Sequence, residues 1–287
     1  MKALRNLAAR IATPVMRRAA RAYIAGTELA DGLRVVQQVE RRGFTSTLGF
    51  WDGENDSPRA VANAYIDALR GMRQSCGDSY LSIKLPALAY SQDLLHEVMQ
   101  VAQTANTRIH FDSLGPETVD RTRAAIEKLK SGSSSMSLSV SLPGRWRRSL
   151  RDSDWAVEMG IGIRIIKGQW EDQDGDESCL DPHRGFLNLV KHASQRSGQA
   201  VATHDPHLAA ESLDIMKASG ARAEIELLFG LPSRGVLALA KKSDTPVRIY
   251  VPYGHAWLPY CMAQAQKNPR VLWWMLKDSL FARGAAV

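Results

Sequence analysis

Arg164-Ile-Ile-Lys-Gly168 lies near the middle of the 287-residue chain. Ile161 to Ile166 alternates Gly and Arg with Ile, the pattern of a strand with one buried face. Lys167 and Gly168 then bring a positive charge and a chain reversal to its C-terminal end. In a parallel barrel that end is where chemistry is done. Two cations separated by two isoleucines and closed by a Gly suit an electron-rich ligand. Taken alone, the same stretch describes an ordinary salt-bridged strand end equally well. The rest of the chain decides between the two.

Working outward, the pattern repeats. The spacing predicts strands over Phe44–Phe50, Tyr80–Pro86, Arg108–Ser113, Ser137–Leu142, Gly162–Lys167, Ala200–His204, Glu224–Phe229 and Val247–Val251. Helical periodicity falls between them, roughly over 58–75, 91–104, 116–130, 149–158, 182–197, 207–219 and 231–242, and a last stretch, 256–282, follows the eighth strand. Short β-branched strands alternating with helices argue for a parallel sheet. Eight such units at this length predict a (β/α)8 TIM-type barrel over 43–287. Extra N-terminal helices precede it over 1–42. Residues 1–25 read as Arg-rich amphipathic helix with Pro14 as a kink, and 29–41 as a further helix stopped near Arg42-Gly43. Ser131–Ser135 reads as a loop.

The predicted strand ends are polar: Lys84 on the second, Asp112 on the third, Ser141 on the fourth, Arg164 and Lys167 on the fifth. The sixth ends in Thr203-His204-Asp205, the seventh carries Glu226, and the eighth carries Tyr250 and Tyr253. Inward residues of a packed barrel are mostly branched and apolar, so this gathering at one end predicts an active site at the mouth.

Composition excludes several classes. No apolar run approaches the ~20 residues of a membrane span. Cys76, Cys179 and Cys261 have no C-x-x-C spacing and give neither a disulfide framework nor a zinc site, which points to the cytoplasm. The net charge is +7. Six of the positives (Lys2, Arg5, Arg10, Arg17, Arg18, Arg21) precede the first acid, Glu28, and the remainder is close to neutral. A broad nucleic-acid-binding face is therefore not expected, whereas a weak contact of the N-terminal helix with an anionic membrane surface is one reading of that segment. A solvated helix packed on one end of the fold is the other. His204 and His207 lack a third ligand, so no metal site is predicted. There is no P-loop, no G-x-S-x-G, and no G-x-G-x-x-G after a strand.

Six pieces, in order at successive strand ends, carry a family resemblance. They are Ser82-Ile-Lys-Leu85, Ile109-His-Phe-Asp112, Arg164-Ile-Ile-Lys-Gly168, Ala202-Thr-His-Asp205, Glu224-Ile-Glu-Leu-Leu-Phe-Gly230 and Val247-Arg-Ile-Tyr-Val-Pro-Tyr-Gly254. From about residue 28 onward the chain resembles the proline dehydrogenase family, flavoenzymes built on a (β/α)8 barrel. The resemblance implies a bound FAD, with Arg164 near the flavin N5, Lys167 and Gly168 along the pyrophosphate and ribityl chain, and Thr203 and His204 near the adenosine half. Ser141 and Glu226 fall on cofactor positions where the family usually has Gln.

On the substrate side the resemblance implies that Lys84, Asp112 and Tyr250 line a proline pocket, with Tyr260 over the substrate ring. The family's last helix reads Tyr-x-x-Arg-Arg-x-x-Glu, the two Arg clamping the substrate carboxylate. Here it reads Tyr260-Cys-Met-Ala263-Gln264-Ala-Gln-Lys267, so both arginines are missing and Lys267 is a cation one turn away. Trp170 stands where a Tyr is usual. The expected activity is oxidation of the C–N bond of proline or a proline-like amine to an imine, with hydride transfer to FAD and electrons passed on to a quinone or other acceptor. A methylenetetrahydrofolate-reductase-like flavoenzyme and a non-catalytic flavin- or ligand-binding barrel remain as alternatives.

Overall fold

The eight strands close into one barrel in sequence order, each parallel to both neighbours. The protein is seen here in a computed structural model that describes residues 24–53, 55–73, 78–132, 136–170 and 181–255. The elements are α1 (Leu29–Arg41), β1 (Thr45–Trp51), α2 (Pro58–Met72), β2 (Ser79–Ile83), α3 (Gln92–Ala105), β3 (Arg108–Phe111), α4 (Val119–Gly132) and β4 (Leu138–Pro143). They continue with α5 (Ser149–Glu158), β5 (Gly162–Ile166), α6 (Pro182–Ser194), β6 (Gln199–Ala202), α7 (Pro206–Ala218), β7 (Ala223–Leu228), α8 (Arg234–Ser243) and β8 (Val247–Gly254). The (β/α)8 expectation holds. The expected helices before residue 24, the stretch 256–282 and all three cysteines lie outside the described residues, and so do Tyr260, Ala263, Gln264 and Lys267.

Strand alternation builds the two layers. Leu48, Leu81, Ile83, Ile109, Phe111, Ile163, Ile165, Val201, Ile225, Leu227, Ile249 and Val251 are fully buried against the helices. The alternate set faces the lumen, where Thr47, Ser82, His110, Ser141, Arg164, Glu226, Arg248 and Tyr250 are also buried. Helix starts follow local chemistry. Ser57 accepts from Ala60 N at 3.2 Å ahead of Pro58, and Asp181 accepts from Arg184 N at 2.9 Å ahead of Pro182. A short polar cap followed by proline satisfies an orphan N–H and fixes the first helical φ.

The expected second strand runs too long. It ends at Ile83, and Leu85–Leu88 is a single 3-10 turn. Pro86 has no N–H to give a parallel ladder, so Lys84 becomes the residue on which the chain turns outward. The sixth strand likewise stops at Ala202, leaving Thr203 and His204 on the loop above it.

Helix α1 lies along the β8–β1 seam, with Val35, Val36 and Val39 buried. Its Gly32 allows the approach, since a Cβ there would stand 3.0 Å from Leu48 Cδ1. The N-terminal end of the barrel is closed by Arg248, which is fully buried. Its guanidinium donates to Ser46 O (2.7 Å), Asp78 O (2.8 Å) and Glu224 Oε2 (3.0 Å), and lies 3.6 Å over the Tyr80 ring. Among the described residues no helix is long and apolar enough to cross a membrane.

Candidate active site at the barrel mouth

Arg164 sits at the centre of the mouth. Strand β5 delivers it into the lumen because Ile163 and Ile165 take the outer face. Its guanidinium then reaches strands that are not β5's neighbours: Nη1 donates to Glu226 Oε1 on β7 at 2.6 Å, and Nη2 donates to Asp112 Oδ1 just past β3. Nε donates to Ser141 Oγ, on the adjacent β4, at 2.8 Å. The Tyr250 ring from β8 lies 5.4 Å below the guanidinium carbon. Five of the predicted site residues thus meet in one contact network. With Arg164 only 7% exposed, all of its charge is matched by buried partners.

The other groups refine this picture. Tyr250 Oη donates to Asp112 Oδ2 at 2.9 Å. Burial and then the Asp112 charge hold the phenol well above its usual range, so it is a donor at any working pH. Burial would also raise Asp112, but Arg164, Lys84 and the Tyr250 hydrogen bond outweigh it and hold its carboxyl low. At Glu226 the balance goes the other way: burial outweighs Arg164 and Arg248, and the carboxyl is raised. Lys84 Nζ is tied to the end of β1, donating to Phe50 O at 2.6 Å and lying 3.4 Å from Asp52 Oδ1. Its backbone N–H is held by Tyr65 Oη at 3.0 Å.

Around the β5–β6 end lies a second group. Lys167 Nζ is 3.8 Å from Asp205 Oδ2, and both side chains are well exposed. Asp205, read in the sequence as a strand-end site residue, is the N-cap of α7, accepting from His207 N at 3.0 Å and Leu208 N at 3.4 Å. Thr203 Oγ1 accepts from Asp205 N at 3.1 Å. His204 accepts from Leu228 N on Nε2 (2.9 Å) and donates from Nδ1 to Pro232 O (3.0 Å). Burial holds this imidazole below its ordinary pKa, and both ring nitrogens are taken by main chain, so it offers a ring face.

Several residues at the mouth carry no expectation from the sequence. His110 bridges Ser139 Oγ and Ser141 Oγ, each at 2.8 Å, and burial followed by the nearby Arg164 charge keeps it neutral. It belongs to a quoted motif, and its place on the polar side of the β3 alternation was the available signal. Gly49 on β1 makes room for Tyr250: a Cβ would collide with the hydroxyl and come within 2.6 Å of ring Cζ. Only cross-strand register shows this. Arg145, in the loop after β4, lies beside Gly168 and donates to Gln169 O at 3.3 Å. A cavity of about 330 Å³ between α3 and α4, reaching His96 and Lys128, lies outside the barrel and shares no residue with the mouth.

With this geometry in hand, known proteins can be compared. No protein-family model matches the chain. Proline dehydrogenase 1 of Bacillus subtilis subsp. natto is 24% identical over 279 residues, which cover 91% of this chain and 90% of that protein. Proline dehydrogenase of Deinococcus radiodurans is 23% identical over 268 residues, 86% of each. Along nearly its whole length the chain is similar to proline dehydrogenases. The fold agrees: proline utilization A (PutA) from Bdellovibrio bacteriovorus, in a structure inactivated by N-propargylglycine, superposes with a TM-score of 0.78 at 15% identity over 98% of this chain. The Bradyrhizobium japonicum PutA mutant D779Y gives 0.69 at 17% identity over 86%. The chain spans about a third of those longer proteins, 35% and 30% respectively.

The family implies a flavin, and the residues at the mouth fit one. Arg145 Nε is buried with no hydrogen-bond partner among the described residues, a donor left open beside the β5 end. Gly168 there has φ +88°, and a Cβ would stand 2.7 Å from Pro143 Cβ, so the chain keeps this edge bare of side chain. A bare glycine edge between an unused guanidine N–H and Lys167 is a donor set for phosphate oxygens.

Proposed function

We propose that the chain is an FAD-dependent dehydrogenase that oxidises the C–N bond of proline or a proline-like amine to an imine. The observation that carries this reading is Arg164, a buried cation at the barrel mouth fixed by Asp112, Ser141 and Glu226. FAD supplies the two-electron acceptor in this chemistry. The protein's own residues supply orientation and charge. Arg164 is held by three acceptors before any charge develops, so it does not have to reorganise when the ring beside it gains electrons. Arg145, Lys167 and Gly168 would hold the pyrophosphate, and Thr203 with the His204 ring face would meet the adenosine half.

On the substrate side, Asp112 is ionised at neutral pH and accepts from the amine N–H, while Tyr250 fixes which way that carboxylate faces. Lys84, docked on Phe50 O, closes the wall next to it. In sequence, Tyr260, Ala263, Gln264 and Lys267 match the substrate-pocket positions of the family's last helix. Losing a bidentate carboxylate clamp costs ~2–5 kcal/mol. With Ala263 and Gln264 in place of two arginines, the preferred amine has its carboxylate masked or missing. Electrons leave to a quinone or other acceptor. In the same reading residues 1–42, basic at the start, hold the cytoplasmic barrel, 43–287, against the inner face of an anionic membrane.

The test is anaerobic. Purified protein loaded with FAD is mixed with proline, prolinamide or pyrrolidine, and the flavin absorbance is followed. Bleaching by at least one amine, and faster with prolinamide than with proline, is expected. Uptake of FAD without bleaching by any amine would overturn the dehydrogenase reading, and equal rates for proline and prolinamide would overturn the substrate preference.

A further inference from the structure

The charge count inside the barrel is uneven. At the plug, Arg248 faces Glu224 and Asp78, with Arg108 also on Asp78, so cations and carboxylates match. At the β1–β2 edge, Lys84 faces Asp52. At the mouth, Arg164 alone faces two carboxyl groups, Asp112 and Glu226. His110, 3.8 Å from Asp112, is neutral, and Tyr250 is a neutral donor. Among the described residues, one negative charge in this buried layer has no cation of its own.

The two acids are not held equally. Asp112 receives Arg164 on one oxygen and Tyr250 Oη on the other, with Lys84 and His110 nearby. Glu226 receives Arg164 on Oε1, and its remaining charged neighbours are Arg248, already paired, and Glu224, which repels it. A surplus proton in the cluster therefore goes to Glu226, on Oε2.

We propose that Glu226 is a proton-carrying positioning residue for Arg164, taking a proton on Oε2 when negative charge builds up beside the guanidinium and releasing it when that charge leaves. The inference rests on the flavin reading above. Two-electron reduction of bound FAD with one proton adds one negative charge next to Arg164. Glu226 answers it with a second proton from solvent, which frees more of the Arg164 charge to face the ring. The direction of the Glu226 shift, upward by burial while Asp112 is held down, agrees with this division of labour.

The test is the pH dependence of the midpoint potential of the FAD-loaded protein, measured by dye-equilibrated titration in wild type and Glu226→Gln. Wild type is expected to show a window in which the slope doubles, from one proton to two protons per two electrons. Glu226→Gln keeps the Arg164 hydrogen bond through its amide oxygen and is expected to lose that window, holding the single-proton slope down to the pH at which the reduced ring itself takes a second proton. The same slope profile in both proteins would overturn the proposal. A second measurement is proton uptake by wild type and Glu226→Gln on anaerobic reduction in weakly buffered indicator dye. Two protons in a window that the variant lacks support Glu226, and equal uptake in both proteins at every pH, which protonation of the reduced ring itself would give, rejects it. Failure of the chain to take up FAD at all, seen before any potential is measured, overturns the flavin reading and this inference with it.

Discussion

Arg164→Met removes the guanidinium and keeps a long apolar side chain in the lumen, so the effect on stability is mainly electrostatic. The wild-type side chain donates to Glu226 at 2.6 Å, to Ser141 at 2.8 Å and to Asp112. Glu226 and Ser141 are nearly inaccessible, and Asp112 is mostly so. Taking the shared cation from buried carboxylates costs ~3–5 kcal/mol, because each is left in a poor solvent without its partner. The pH dependence gives the sharper check. In the wild type Asp112 is held low, so its contribution to stability is present above its unfolded-state pKa and is lost as pH falls through the folded value. Without Arg164, burial is opposed only by Lys84 and the Tyr250 hydrogen bond, and the Asp112 carboxyl moves up. Glu226, raised already, moves further. Both acids then take protons on mild acidification, and the deficit of the variant shrinks. Urea denaturation followed by circular dichroism at about pH 8 and about pH 5 should show the larger loss at the higher value. Adding Glu226→Gln to the Met variant should restore ~1–3 kcal/mol at the higher pH, since the two sites are coupled. A loss below about 1 kcal/mol, or one that grows on acidification, would refute the buried-charge argument.

Gly49→Ala should cost ~1–3 kcal/mol by displacing Tyr250 from Asp112, measured by thermal denaturation. In a Tyr250→Ala background the same change should fall within about 0.5 kcal/mol of neutral; an unchanged cost would locate the clash elsewhere. Gly168→Ala forces a Cβ onto Pro143 at φ +88° and shifts Arg145, so FAD affinity measured by fluorescence titration should drop about tenfold, ~1.4 kcal/mol. Wild-type affinity in that variant would remove Gly168 from the cofactor site. Deleting residues 1–23 keeps the Ala25 N to Pro252 O bond at 2.9 Å and should abolish sedimentation with anionic vesicles while leaving flavin binding intact. Each basic residue near such a surface contributes about 1 kcal/mol, so equal sedimentation of both proteins would refute the membrane contact.

The barrel was legible in the sequence because its strands alternate strictly. Ile163 and Ile165 flank Arg164, and Leu48, Ile109 and Ile225 mark the outer faces of their strands, so the inward residue follows by elimination. Lys84, Asp112, Ser141, Arg164, Glu226 and Tyr250 could be picked out for this reason. What periodicity could not give was which of them touch. Arg164 with Glu226 and Tyr250 with Asp112 are contacts across the lumen, set by closure of the sheet and by register. Gly49 illustrates the same limit, since its meaning lies in a side chain from β8. Asp205 shows an ambiguity of another kind. An acid after a strand and before a proline reads as a site residue and as a helix cap, and the α7 N–H groups take it as the cap, with Lys167 as a distant partner.

A barrel selected only for stability fills its lumen with branched aliphatic layers, as packing against a closed sheet favours. This lumen holds Thr47, Ser82, His110, Ser139, Ser141, Arg164, Glu226 and Arg248 instead, and the hydroxyls of Thr47 and Ser82 are buried with no hydrogen-bond partner among the described residues. Each such group costs ~1–3 kcal/mol of desolvation. The apolar set on the outer strand faces offsets that cost, at roughly 1.5–3 kcal/mol for each buried Val, Leu or Ile. The two ends use the polar interior differently. At the plug Arg248 is saturated by two backbone carbonyls, Glu224 and Asp78, and stacked on Tyr80, an arrangement that seals. At the mouth Arg164 is oriented by two acids, one of them raised in pKa, the arrangement on which the proposed response of Glu226 to added charge rests. The same residue type thus closes one end and, in the proposed function, serves chemistry at the other, and what separates the two roles is the balance of charge around each guanidinium.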